Sequence, residues 1–118
     1  MEDINMTTMT KNQYQICIDE CNRCAQICHE CLRACLNEPD VQARKNCISI
    51  LMECACMCEM SASLMAMDAQ FAKDHCRLCA TVCEKCAQEC DMFKDQHCKD
   101  CSNECRNCAD ECRKMSNM

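Results

Sequence analysis

The sequence predicts an all-α protein: an antiparallel up-down-up-down four-helix bundle with a cysteine-lined core. Three observations predict this fold class. The 118 residues include no Gly and one Pro, so tight turns and hairpins are scarce. Aromatic residues make up 3% of the chain and β-branched residues are few, which favours helix over sheet. Cysteines recur at alternating spacings of three and four residues, which places them on one face of a helix.

Cysteine takes the place of the usual apolar core. Leu, Ile, Val and Phe together form only about 13% of the chain, and a chain below roughly 20% with appreciable net charge is normally disordered. The 20 cysteines are the candidate filling, because a free thiol behaves as a small hydrophobe. A core of such small groups is thin, and bound metal would fill and crosslink it.

Charge and the N-terminal residues exclude several classes of protein. The net charge of -6 argues against a nucleic-acid partner, which requires a basic face. No segment was expected to span a membrane, and residues 1–6 lack the basic and apolar regions of a secretory signal. We therefore expect a cytoplasmic protein with no membrane partner, in a compartment that keeps thiols reduced. Structural disulfides are the alternative, disfavoured by the helical spacing and the missing signal.

The N-terminal third contains the first helix. Residues 1–9 show no periodicity and are expected to form a flexible N-terminus, ahead of a single domain over residues 10–116. Thr10 to Gln13 fits a capping box, which predicts a helix over about 11–36. The segment 37–40 contains Pro39 and ends this helix. Its inward stripe consists of Cys17, Cys21, Cys24, Cys28, Cys31 and Cys35.

The second helix is predicted over about 41–67, with Asp40 as its N-cap. It has the fewest thiols and is the most apolar elsewhere. Its outer apolar side chains, among them Ile48, Met52 and Met60, predict a contact between subunits. Cys56 lies opposite the inward stripe and is expected to face outward or into a contact between subunits. That stripe consists of Cys47, Leu51, Cys54, Cys58, Ser61 and Met65.

The third and fourth helices repeat the pattern of the first. They are predicted over about 69–93 and 96–115, with Asp68 and Asp95 as N-caps. Because each connection is only a few residues long, neighbouring helices should run antiparallel. The third stripe consists of Cys76, Cys79, Cys83, Cys86 and Cys90, and the fourth of Cys98, Cys101, Cys105, Cys108 and Cys112.

Cys-x-x-x-Cys pairs supply the chemistry. Residues four apart on a helix are neighbours, with Cβ atoms about 5–6 Å apart, so two thiolates can close on one soft ion. Thiolates select Cu(I), which accepts a linear pair of ligands, and we therefore predict multiple Cu(I) ions per chain. The pairs are Cys17/Cys21, Cys24/Cys28, Cys31/Cys35, Cys54/Cys58, Cys79/Cys83, Cys86/Cys90, Cys101/Cys105 and Cys108/Cys112.

Other thiol chemistries stay open as alternatives. A zinc-binding thiolate bundle would need four tetrahedral ligands per ion, usually from short knuckles that contain Gly. An iron–sulfur or dithiol redox protein is a second alternative, although iron–sulfur loops are typically non-helical and often have Pro after a Cys. No Ser/His/Asp set, Gly-rich loop or paired carboxylates indicates an enzyme, and no thiol is singled out as a nucleophile.

Methionine and histidine are predicted to gather at the two ends of the bundle. Plain packing of Met is the alternative at core positions such as Met57 and Met65. His29 lies off the stripe and is expected to be solvated. One end would hold Met9, Met65, Met67, His75 and Met115, and the other Met92 and His97. Of these, Met65, His75, His97 and Met115 are the candidate accessory ligands where copper passes into the bundle.

The stripes of helices three and four, from Cys76 to Met115, resemble those of the four-helix-bundle copper storage proteins. With the first stripe and Cys47, Cys54 and Cys58, the resemblance covers roughly residues 14–115. It implies bulk storage or detoxification of Cu(I) by thiolates inside the bundle, in a cytosolic homotetramer. A copper chaperone or a small thiol would load and unload the ions. Three positions depart from the family: Leu51 stands where a Cys or polar residue is frequent, Phe93 where many members have His, and Cys56 is an extra thiol without a family role.

Overall fold

The computed structural model describes residues 12–118. Three predictions concern residues outside this range: the flexible N-terminus over residues 1–9, Met9 of the Met-rich end, and Thr10 of the capping box. Over residues 12–118 the chain is helical and contains no strand. Its elements are α1 (Gln15–Leu36), a 3-10 helix (Val41–Arg44), α2 (Lys45–Ala66), α3 (Ala72–Cys90) and α4 (Gln96–Ser116).

The four helices form an antiparallel bundle. Each packs against its neighbours in the chain, and α4 closes the ring against α1. Thiol contacts show the direction: Cys17 at the start of α1 meets Cys112 at the end of α4, whereas Cys31 meets Cys98. Between α2 and α3, Cys47 likewise meets Cys90. The predicted all-α, up-down-up-down fold class is confirmed.

The turn between α2 and α3 differs from the prediction. Asp68 was expected to cap α3, but α3 begins at Ala72, and Asp68 has φ of 51°. The amide of Asp68 donates to the Met65 carbonyl at 3.0 Å, and that of Ala69 to the Leu64 carbonyl at 2.9 Å. This is the Schellman arrangement that ends a helix, in which the left-handed position usually belongs to Gly. Asp tolerates that conformation better than most residues and takes this role in a chain without Gly.

The other helix limits also shift by a few residues. Asp40 precedes the 3-10 helix, so α2 begins at Lys45 rather than near 41. Its carboxylate accepts a hydrogen bond from Arg44 Nε at 2.6 Å instead of capping a helix amide. At the far side, α3 ends at Cys90 rather than near 93. Asp95 precedes α4, but its carboxylate also binds Arg44 and makes no cap hydrogen bond.

The core is built from thiols and alanines. Every cysteine except Cys56 is buried, and Leu51 and Met65 are the largest fully buried side chains beside them. The small side chains of Ala55, Ala87 and Ala109 complete the inner surfaces. This composition lets the helices approach closely, and it confirms the cysteine-lined core.

Helix α2 and its 3-10 extension are more apolar than predicted, since no segment was expected to be apolar enough to span a membrane. By length and composition alone, Val41–Ala66 could cross a membrane, because an 18-residue stretch of it has a mean hydropathy of 1.5. Its inward face nevertheless lies in the thiol core, where Cys47, Leu51 and Cys54 are essentially inaccessible to solvent. The apolar character therefore combines a core face with an outer face on which Met52 and Met60 are exposed.

Two glutamates face each other between α1 and α4. Glu104 is buried, and one carboxylate oxygen each of Glu20 and Glu104 is inaccessible and has no hydrogen-bond partner. Burial, with the nearby Glu20 carboxylate, raises the pKa of Glu104 to about 8, although Arg23 acts in the opposite direction. In the folded chain, Glu104 therefore holds a proton at pH values where an exposed glutamate is ionised.

We predict a pH-dependent stability of the metal-free protein that depends on Glu104. Because its pKa is higher in the folded state, the folded state binds more protons, and the free energy of unfolding falls as pH rises toward about 8. Glu104→Gln should reduce this slope. Urea unfolding between about pH 5 and pH 8 measures it. Asp110→Asn, an exposed change on α4, is the control, and equal slopes in the wild type and Glu104→Gln would contradict the prediction.

Candidate metal centre

The thiols form a continuous array along the bundle axis. Hydrogen-bonded Sγ atoms lie 3.7–4.0 Å apart, well beyond the disulfide bond length of about 2.05 Å. Between α1 and α4, Cys112 contacts Cys17 and Cys21, whereas Cys105 contacts Cys24 and Cys28. The helical spacing of three and four residues alternates along both helices, so each thiol fits between two on the facing helix.

A second set of contacts joins α2 to α3. Cys58 Sγ lies 3.8 Å from Cys79 and 3.7 Å from Cys83, and Cys54 lies 3.7 Å from Cys83. Cys58 also reaches across the diagonal to Cys108 of α4, at 3.9 Å. Because thiols are small, α2 and α4 meet through this diagonal contact, which connects eight thiols of all four helices into one network rather than separate pairs.

The contacts between helices are more extensive than the Cys-x-x-x-Cys pattern alone suggested. Of the predicted pairs, Cys79/Cys83 and Cys101/Cys105 form hydrogen bonds, each with Sγ atoms 3.9 Å apart. The other thiol–thiol hydrogen bonds within the described residues join different helices. A metal ion would therefore find ligands from neighbouring helices as close as those four residues away.

Groups of three or four ligand atoms lie within 4.8 Å of one another, and several share members. Two sulfurs on one ion at a metal–sulfur distance of about 2.3 Å lie about 3.8 Å apart in tetrahedral and about 4.6 Å apart in linear geometry. The existing spacing therefore suits low and high coordination numbers. The groups include Cys24/Cys28/Cys54/Cys105, Cys24/Cys54/Cys58/Cys83, Cys28/Cys86/Cys101/Cys105, Cys17/Cys21/Cys112 and Cys31/Cys35/His97/Cys98.

Burial keeps the thiols of Cys35 and Cys98 protonated when no metal is bound. Burial, with the neighbouring Cys35 thiol, raises the pKa of Cys98 to about 12. Burial also raises the pKa of Cys35, although the hydrogen bond from Arg44 opposes the shift. A metal ion that binds here must therefore displace protons, and binding weakens in acid.

One end of the bundle, which we call the His97 end, combines imidazole with thiols. His97 Nδ1 lies 3.4 Å from Cys31 Sγ and 3.6 Å from Cys98 Sγ. On the other side of the ring, Nε2 lies 2.9 Å from Glu38 Oε2, which orients the imidazole toward the sulfurs. A cleft of about 230 Å³ opens here between α1 and α4, lined by Ile27, Glu30, Cys31, His97 and Asp100.

The opposite end, which we call the Met65 end, is arranged differently. His75 Nδ1 lies 2.7 Å from Ser61 Oγ, so this ring is engaged by a hydroxyl. Met65 is fully buried, Met115 packs partly against the core, and Met67 is exposed. Two further residues lie away from the Met65 end. His29 is exposed on α1, as expected, and Met92, near the His97 end, is also exposed.

Sequence reasoning missed Arg44. Its side chain is only 4% exposed, and Nη1 donates to Cys35 Sγ and Cys98 Sγ, each at 3.6 Å. Asp40 and Asp95 bind the remaining edges of the guanidinium, and the Phe93 ring lies 4.4 Å from its centre. The available signal was the spacing of Asp40 and Arg44, which lie four residues apart. This spacing alone indicates an ordinary surface ion pair, because it does not show that Asp95 and Phe93 pack against Arg44 in the folded protein.

We predict that native thiol reactivity singles out Cys56. It is the exposed cysteine, whereas the other nineteen are buried and reduced. In the metal-free protein, alkylation should modify Cys56 faster than the buried thiols, because modification requires access to a thiolate. The contrast should be largest for the dissociated chain, since Cys56 lies between Met52 and Met60 on the outer face of α2. Mass spectrometry measures the number of adducts, and Cys56→Ser is the control that should lose the fast phase. Fewer than 20 adducts after unfolding without reductant would instead indicate disulfides.

Comparison with known proteins agrees with this geometry. The family model described as copper storage protein matches residues 10–117. The uncharacterized cysteine-rich protein YhjQ of Bacillus subtilis (strain 168) is 37% identical over 76 residues, which cover 64% of this chain and 70% of YhjQ.

Solved structures show the same fold with related sequences. The Cu(I)-bound copper storage protein BsCsp3 superimposes with a TM-score of 0.84 at 37% identity, covering 88% of this chain and 99% of the other. A cytosolic copper storage protein from Streptomyces lividans, studied with five coppers, gives a TM-score of 0.86 at 34% identity, covering 89% and 92%. The family match spans nearly the whole described bundle, and this chain therefore belongs to the copper storage protein family.

Proposed function

We propose that this protein stores Cu(I) in the cytoplasm, holding many ions per chain by cysteine thiolates inside the bundle. The observation that carries this proposal is the array of nineteen buried, unpaired thiols, most of which are connected by hydrogen bonds or by shared four-sulfur groups. Solvent cannot reach them directly, and no other buried groups of the described bundle approach their number. The array therefore suits a cargo of soft ions rather than one structural ion.

The sharing of ligands between groups supports copper storage over the alternatives. Cys24 and Cys54 belong to two four-sulfur groups each, as do Cys28 and Cys105. Zinc with four separate thiolates would use the array inefficiently and would bury a charge of -2 at each ion. An ion with one positive charge that shares bridging thiolates approaches one ion per thiolate, and such a cluster approaches neutrality. Neutral clusters suit a buried core, because isolated buried charges are strongly unfavourable.

Loading exchanges protons for copper. When one Cu(I) binds two thiols, both S–H protons are released, and the product carries one net negative charge. When a later ion bridges two thiolates that are already bound, no further proton leaves, and the net negative charge of the cluster becomes smaller. Neither step changes the oxidation state of sulfur or copper. We therefore infer a store without catalytic turnover, loaded and unloaded by a copper chaperone or a small thiol.

The proposed ligands are the nineteen buried cysteines, and the ends of the bundle supply accessory groups. At the His97 end, His97 already faces two thiols and adjoins an open cleft, which supports it as an accessory ligand. At the Met65 end, Met65 and Met115 lie at or in the core, and His75 would have to leave Ser61 before it could bind an ion. Cys56 lies outside the store because its side chain faces solvent.

We predict that copper capacity scales with the buried thiols. Replacing the five α3 cysteines by Ser should lower the number of bound Cu(I) ions roughly in proportion and leave a looser, still helical metal-free bundle. Titration with Cu(I) against a chelator, with metal analysis, measures the capacity, and Cys56→Ser should retain it. Copper should also raise the melting temperature, since it binds only the folded array. Saturation at one or two ions, or co-purified iron and sulfide, would rule out storage.

We also propose a homotetramer assembled through the outer face of α2. Met52 and Met60 are exposed there beside the partly buried Ile48, and a hydrophobic face of this kind favours association. The double substitution Met52→Glu/Met60→Glu should shift the mass in solution from four chains toward fewer, as measured by light scattering. Leu78→Glu, at an exposed position of α3, is the matched control. An unchanged mass in the α2 variant would place the contact elsewhere.

A further inference from the structure

We propose that Arg44 is a positioning residue for Cu(I) at the His97 end, where it holds the Cys35 and Cys98 sulfurs in place and favours their metal-bound form. This inference rests on the proposed storage function, because it assigns copper to the group formed by Cys31, Cys35, His97 and Cys98. Arg44 itself would not touch the ion. It would act through two of the ligands.

The geometry of the guanidinium is specific. A single nitrogen, Nη1, donates to both Cys35 Sγ and Cys98 Sγ at 3.6 Å, so its two protons serve one sulfur from α1 and one from α4. These two sulfurs come from different helices, and Arg44 is the group that ties them together. Each sulfur keeps further lone pairs for an ion on the side facing Cys31 and His97.

The rest of the guanidinium is held by partners away from the thiols. Nε donates to Asp40 at 2.6 Å, and Nη2 donates to Asp95 at the start of α4. The Phe93 ring lies 4.4 Å from the guanidinium carbon and fixes its plane. Arg44 keeps the pKa of Asp95 below its usual range, which maintains that ion pair. Three side chains from two connections thus hold one buried cation beside two thiols.

This arrangement interacts more strongly with the copper-bound state than with the metal-free state. A thiol sulfur is a weak acceptor, whereas a copper-bound thiolate carries negative charge and accepts a stronger, charge-assisted hydrogen bond. Two thiolates with one Cu(I) carry a net charge of -1, and the fixed positive charge of Arg44 lies against them. Its aspartate partners are partly exposed, with 51% and 29% of the side chain accessible, so water screens them and leaves the inward charge effective.

Partners of this kind usually matter for metal affinity. Groups that hydrogen-bond to metal ligands fix their orientation, and removing one typically weakens binding by about 10–100-fold. Lysine is not equivalent, because an ammonium cannot serve two sulfurs and two carboxylates from one planar group. Phe93, which replaces the His of many family members, now has a physical role: it packs under Arg44 rather than supplying a ligand.

The test follows copper at this end through His97. Because Cu(I) is diamagnetic, the imidazole NMR signals of His97 report local occupancy, and His29→Gln and His75→Gln assign them. Protein loaded with Cu(I) is titrated with a chelator. Arg44→Met should release copper from His97 at a chelator activity about 10–100-fold lower than the wild type does, with Arg44→Lys in between. Arg106→Met, which removes an exposed arginine of α4, should behave as the wild type.

A double-mutant cycle separates positioning from support of the fold. If Arg44 acts through the sulfurs, the effect of Arg44→Met shrinks in the Cys35→Ser and Cys98→Ser backgrounds. Release at the wild-type chelator activity, or an undiminished effect in both backgrounds, would overturn the proposal. Should Arg44→Met fail to fold, the Arg44→Lys comparison with the wild type decides in the same way.

Failure of the storage function gives a different result. If the wild-type His97 signals do not respond while total capacity remains high, copper is stored elsewhere and the role of Arg44 is excluded. If total capacity is one or two ions, the storage proposal itself fails. A high capacity with responsive His97 signals and unaltered release in the Arg44 variants likewise removes the Arg44 proposal and leaves the storage proposal standing.

Discussion

The packing of thiol against thiol is the constraint on which the rest of this structure depends. A cysteine contributes little apolar volume, so helices lined with it must approach closely, and alanine at positions such as Ala55 and Ala87 permits that approach. The resulting Sγ separations of 3.7–4.0 Å are too long for disulfides and close to those needed to share an ion. The same contacts that build the core thus define its chemistry.

This dependence has a thermodynamic side. The metal-free bundle buries thiols that are individually weak contributors, with Leu51 and Met65 as the largest other side chains. Part of the stability must therefore come from elements outside the array. The ion pairs of Arg44 with Asp40 and Asp95 join the first connection to the last, and the Schellman turn at Asp68 closes α2 without any Gly. Bound copper would add crosslinks that the apolar content does not supply.

Periodicity accounts for most of what could be predicted from the sequence. Spacings of three and four fix a helical face, so the burial of the stripe cysteines and the exposure of Cys56 follow directly. Tertiary contacts account for the rest. The local sequence predicts Asp68 as the N-cap of α3. It instead adopts a left-handed conformation at the end of α2, because the chain reverses direction there. The burial of Arg44 could not be predicted from the sequence, because its partners Asp95 and Phe93 are about 50 residues away along the chain and meet it only in the folded bundle.

The overlap between the sulfur groups has a consequence for transport within the molecule. Since Cys28 and Cys105 occur together in two groups, and Cys24 and Cys54 together in two, the three four-sulfur groups in the middle of the bundle have sulfurs in common. An ion can therefore pass from one position to the next by exchanging a single ligand at a time, without ever being released to water. Sulfurs shared in this way let the middle of the bundle move ions as well as hold them, so ions in these three positions need no separate openings to solvent.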